Sequence, residues 1–185
     1  MHVIETILWK SIPWAGHESA RLLPLDDGWQ LEGAAAFLND GQPCRLVYTI
    51  TCDRDWHTRR ATVNGWAGER EVDIVIEAVN GVWMMNGVEQ KQVAGCIDVD
   101  LACTPLTNTL PIRRLGKVLD RRQEIRVAFV AFPALSVRAV SQAYTRLGPG
   151  RYRFDSPEHA FTADIGTDDE GLVLDYPGLF YRHGA

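Results

Sequence analysis

The sequence predicts a mainly β protein, a spiral β-roll of many antiparallel strands wrapped around one short central helix, and three observations lead there. Apolar residues recur at every second position along most of the chain, turn-forming dipeptides separate these runs, and one stretch, residues 104–116, breaks the alternation. A chain with more than about ten short strands must close on itself or roll up, because long exposed strand edges invite aggregation.

The runs follow in order. Strands are expected at residues 18–25 and 29–38. Residues 45–53 set Leu46, Tyr48, Ile50 and Cys52 on one face against Val47, Thr49 and Thr51 on the other. Residues 56–63 come next, then 71–80, where Val72, Ile74, Ile76 and Ala78 share a face, and then 97–103. Further strands are expected at 123–131, 137–147, 151–154, 160–165 and 171–176. Between them lie Asp27-Gly28, Asn39-Asp40-Gly41, Asn64-Gly65, Asn80-Gly81, Gly148-Pro149-Gly150 and Asp169-Glu170-Gly171, all read as turns.

The exceptional stretch reads TPLTNTLPIRRLG. Pro105 ends the preceding strand, since the residue before proline is driven from helical geometry. Asn108 is placed to cap a helix, Pro111 suits its first turn, and Gly116 closes it. A helix is therefore expected at about residues 106–115, its apolar side chains Leu106, Leu110, Ile112 and Leu115 plugging the roll.

Composition bounds the function. The 185 residues suit a single domain spanning 1–185, and 46% hydrophobic with 23% charged residues is ordinary for a globular protein. A net charge of −5, without long runs of one sign, lacks the footprint of a nucleic-acid binder. The longest apolar run, residues 127–135, contains Pro133 and is far below the ~20 residues of a membrane-spanning helix. Four cysteines show no CxxC spacing, and Cys52 falls in phase with a buried strand face. With no signal-like N-terminus, a cytoplasmic setting with reduced thiols is expected. No cofactor and no metal are expected: GWAGER at 65–70 lacks phosphate-cradle spacing, and neither HExxH nor GxSxG occurs.

Asp98 and Asp100, two apart on a strand, point to one face. They suit either general acid–base work with His17 or pairing with Arg113 and Arg114 to pin the helix. His57 has no identifiable nucleophile beside it. All six tryptophans lie in the first half of the chain, where they either pack the core or line an apolar cavity.

The ordered series W…GHES, DRDWHTRR, GVWMMNG, GCIDVDLACTPLTNTLPIRRL, SQAYTRL and GLVLDYPGLFYR resembles the bacterial family of putative glycolipid-binding proteins, formerly a domain of unknown function. That resemblance implies the spiral roll with its single helix and a likeness to carriers of lipoproteins and glycolipids. It brings no catalytic residues.

The function expected is non-enzymatic binding of an amphipathic ligand, a lipid or glycolipid. Glu18, Asn108, Arg113 and Arg114 would form its polar mouth, the arginines suiting an anionic head. The alternatives are a small hydrolase or isomerase using Asp98, Asp100 and His17, and a structural or partner-binding module without a cavity.

Overall fold

Fifteen strands of the computed structural model, which describes residues 3–184, form one sheet whose order records how the chain was laid down. The first half is a meander of β1 (Glu5–Ser11), β2 (Gly16–Leu25), β3 (Gly28–Asn39), β4 (Gln42–Asp53), β5 (Thr58–Ala67), β6 (Arg70–Val79), β7 (Val82–Met85) and β8 (Val88–Glu89). The second half contains β9 (Asp98–Leu101), β10 (Gln123–Val130), β11 (Val137–Gly148), β12 (Arg151–Ser156), β13 (Phe161–Thr167), β14 (Val173–Tyr176) and β15 (Phe180–Arg182). The halves meet where β1 pairs antiparallel with β15, setting Trp9 opposite Arg182 and Ser11 opposite Phe180.

Among the described residues every strand pairing is antiparallel except β9 with β10. A parallel pair needs a crossover rather than a hairpin, and here the crossover is the helical segment. It runs as a 3₁₀ turn (Leu106–Asn108), α1 (Thr109–Leu115) and a second 3₁₀ stretch (Gly116–Asp120). The β9 end of the sheet curls toward the other half. Thr58 N–H donates to Ile97 O at 3.2 Å, Val99 N–H donates to Thr58 Oγ1 at 3.0 Å, and the Trp83 indole donates to Cys96 O at 3.0 Å.

The roll encloses the helix, as every residue from 103 to 112 is buried. Leu106, Leu110 and Ile112 join the core that contains Leu46, Ile50 and Trp9. Burying each such side chain contributes roughly 1.5–3 kcal/mol. The inward phase of β4 is as the alternation requires: Leu46, Tyr48, Ile50 and Cys52 are all buried.

Four strands have no counterpart in the periodicity reading: Glu5–Ser11, Val82–Met85, Val88–Glu89 and Phe180–Arg182. The last three are too short for alternation to declare itself. The Asn64-Gly65 pair is corrected from a turn to the interior of β5, bonded to both β4 and β6. Gly65 has φ +142°, and a Cβ there would meet Arg45 O at 2.0 Å. Glycine serves close backbone approach at this point rather than chain reversal. Gly65→Ala should therefore destabilise the protein by more than ~1 kcal/mol in urea unfolding, whereas Gly41→Ala, strained by its φ of +75° but free of any close backbone neighbour, should cost less.

Candidate functional site

An interior helix brings polar groups into an apolar core, and each needs a partner there. Thr104, Thr107, Asn108 and Thr109 are all buried. Thr104 Oγ1 accepts the N–H of Leu106 at 3.0 Å and donates to Glu18 Oε1 at 2.6 Å, and the Tyr48 hydroxyl also donates to Glu18. Thr107 donates to Asp100 Oδ1 at 2.9 Å, Asn108 to the Tyr144 hydroxyl at 2.8 Å, and Thr109 to Gly171 O at 3.0 Å. Asn108 thus uses its side chain across the roll, and no side-chain cap closes the start of α1.

At the other end of α1, Arg114 grips Asp98 with two bonds, Nε to Oδ1 at 3.0 Å and Nη2 to Oδ2 at 2.6 Å. Asp98 is 1% exposed and Arg114 12%. Burial pushes the Asp98 carboxyl up, and the two guanidinium bonds oppose that. Arg113 points elsewhere, 5.1 Å above the Trp56 ring and 3.4 Å from Glu170.

The candidate site is a cleft of about 300 Å³ beside the start of the helix. Its floor is polar: Asp100, Thr104, Asn108 and Gln142, with Gln142 Nε2 donating to Asp100 Oδ2 at 2.6 Å. Its walls are aromatic, from Phe129, Phe154, Phe161, Tyr176 and Phe180. Phe154, Phe161 and Tyr176 lie 5.9–6.2 Å apart, Phe154 edge-on to Tyr176 and both tilted against Phe161, which makes a continuous apolar surface. Asp100 lies deep but borders this space. Burial pushes its carboxyl up, and the bonds from Thr107 and Gln142 oppose that.

Ser156 and His159 stand at one side of the cleft, Oγ to Nδ1 at 2.8 Å. Arg138 Nη2 lies 2.9 Å from His159 Nε2, and a guanidinium only donates. Nε2 therefore keeps its lone pair, and the ring proton sits on Nδ1, where it donates to Ser156. In that tautomer the imidazole does not accept the serine proton, so the pair is not an activated nucleophile.

Of the residues singled out in the sequence, the structure brings Asn108 to the floor and Glu18 directly behind it through Thr104. Arg114 faces Asp98 and borders a depression of about 590 Å³ that Arg122 and Arg126 also line, and Arg113 borders another near Trp56 and Arg146. His17 is exposed on the outer face of β2, against His183, so the trio of His17, Asp98 and Asp100 is not assembled. The tryptophans do not line the cleft. Trp9 and Trp83 are core residues, and Trp29 stacks on Trp56 at 4.9 Å. Burial pushes the Cys52 thiol up to about 12, which keeps it protonated. Among the described residues, no group of three or more His, Cys, Asp or Glu side chains is arranged to hold a metal ion.

Gln142 escaped the sequence reading, although its signal was present. It sits in the inward phase of β11 with Val140 and Tyr144, and all three are buried. A buried amide in an apolar phase requires polar company. A larger depression of about 550 Å³ lies on the outer face of β1–β4, but it is strand surface crossed by the exposed Arg21–Glu32 pair. It lacks the buried polar floor of the cleft.

A family model described as "Putative glycolipid-binding" matches residues 6–182. A crystal structure of a DUF1089 family protein from Pseudomonas aeruginosa superposes with a TM-score of 0.80 at 37% identity, over 89% of this chain and 91% of that one. A beta-barrel-like protein of domain of unknown function DUF1849 from Brucella abortus aligns with a TM-score of 0.51 at 9% identity, covering 96% and 93% of the two chains, a likeness of fold alone. No curated protein sequence matches.

Two predictions follow from the tethers. Asp98→Ala or Arg114→Ala leaves its partner charge buried and should cost ~3–5 kcal/mol in chemical unfolding. Arg113→Ala, removing a partly exposed pair, should stay within ~1 kcal/mol. Burial raises Glu18 from its ordinary 4.5 to about 7, against the bonds from Thr104 and Tyr48. The stabilisation from the protonated side chain is then fully present below about pH 4.5 and is lost as the pH rises toward 7, on the order of 3 kcal/mol in all. Glu18→Gln should remove that slope in a series of unfolding curves from pH 4.5 to 8.

Proposed function

The chain belongs to the putative glycolipid-binding family, and on that premise we propose that it is a non-enzymatic binding protein for an amphipathic small molecule, a lipid or glycolipid, seated in the cleft beside the helix. The observation that carries this reading is the pairing of an aromatic wall with a hydrogen-bonding floor in one recess of about 300 Å³. Ligand sites are concave, mostly apolar and furnished with a few placed polar groups. An alkyl or ring portion would lie on Phe154 and Phe161 while the head reaches Asn108 and Gln142.

In this reading the four expected residues divide their roles. Asn108 faces the ligand. Glu18 acts through Thr104, holding the entry of the helix in place. Arg114 and Arg113 anchor the helix on other sides. A cytoplasmic setting is part of the proposal, supported by four buried free cysteines that suit a reducing compartment.

Phe161 is half-buried on the wall, so its truncation should spare the fold. Native mass spectrometry of the chain with n-octyl-β-D-glucoside below its micellar concentration should show one bound molecule, and Phe161→Ala should weaken that binding at least about tenfold. Unchanged binding to the variant, or none to the wild type, would remove the cleft from consideration.

A further inference from the structure

The cations expected at the mouth of the site are committed elsewhere. Arg114 gives both of its bonds to Asp98, and Arg113 lies against Trp56 and Glu170. Arg138, over the ring of Phe129 at the rim, is paired with Glu158 at 2.8 Å. What remains in the floor is one carboxylate, Asp100, flanked by neutral groups.

The hydrogen-bonding capacity of that floor is mixed. The Gln142 amide nitrogen has two hydrogens, of which Asp100 takes one, while the Asn108 amide is turned to the hydroxyls of Tyr144 and Tyr176. Ser156 accepts from His159 and keeps its own O–H to give. Each Asp100 oxygen accepts a single bond, from Thr107 and from Gln142, and has acceptor capacity left. Hydroxyl groups, which both donate and accept, satisfy such a surface. A phosphate or sulfate only accepts, and it would bring a second negative charge against Asp100 where water screens poorly.

We propose that the cleft selects an uncharged, hydroxyl-rich head group over an anionic one, with Asp100, held by Thr107 and Gln142, as the residue that sets the preference. This rests on the reading of the cleft as the binding site and reverses the head-group charge that the paired arginines suggested.

The test compares n-octyl-β-D-glucoside with n-octyl phosphate by isothermal titration calorimetry at pH 8, on the wild type and on Asp100→Asn. The glucoside should bind the wild type at least about tenfold more tightly. The substitution should narrow the ratio to within about threefold, chiefly by strengthening the phosphate. Equal or tighter binding of the phosphate to the wild type, or a ratio unmoved by Asp100→Asn, overturns the assignment of the preference while leaving the cleft as a site. Binding of neither probe overturns the cleft reading itself and this inference with it. The wild-type ratio needs no variant, so it decides the matter even where Asp100→Asn does not fold.

Discussion

A helix enters the interior of a rolled sheet only if the polar groups it carries find partners there, and this constraint organises the rest of the molecule. A buried hydrogen-bonding group left unpaired costs ~1–3 kcal/mol, and an unpaired buried charge costs more. The segment from Thr104 to Arg114 carries three threonines, an asparagine and two arginines. Their partners come from widely separated parts of the sheet: Glu18 and Tyr48 from strands of the first half, Asp98, Asp100 and Tyr144 from strands of the second, and Gly171 from the connection between β13 and β14. The bonds that make the helix tolerable inside the roll also fix how the two halves of the sheet curl around it.

Function follows from where that packing stops. Toward Asp98 the charges close on one another and tether the helix. At the start of the helix the sheet stands away, and Asp100, which satisfies Thr107, borders open space together with Asn108 under a wall of phenylalanines. One set of side chains thus serves two purposes, pinning the plug and presenting a floor to a guest. Asp100 illustrates this: it accepts the bond of Thr107 from the helix and the bond of Gln142 from β11, and it faces the cleft between them.

The strand content, the position of the helix and the Asp98–Arg pairing were legible in the sequence because each leaves a local mark: period two, a proline and glycine bracket, and acids two apart preceding paired arginines. Which arginine pairs was not legible, since Arg113 and Arg114 differ only in the direction they leave a short helix. The cleft was hidden for another reason. Its walls come from Phe129, Phe154, Phe161 and Phe180, which lie on four strands and read individually as ordinary core residues. Of the tryptophans, conspicuous in the sequence, Trp9 and Trp83 are spent on the core and Trp29 and Trp56 on a stacked pair away from the cleft. Asn64-Gly65 misled because a dipeptide that favours hairpin turns also fits where two backbones approach closely.

The claim that the polar start of the plug is the floor of a binding site is tested most directly by mapping contact residue by residue. Backbone amide chemical shifts of the labelled protein, followed by NMR during titration with n-octyl-β-D-glucoside, should move around Asp100, Asn108, Gln142 and the Phe154 to His159 stretch, while Trp56, Arg113 and Arg146 stay fixed. Shifts gathered at the Trp56 and Arg113 end, or on the outer face of β1–β4, would contradict the account.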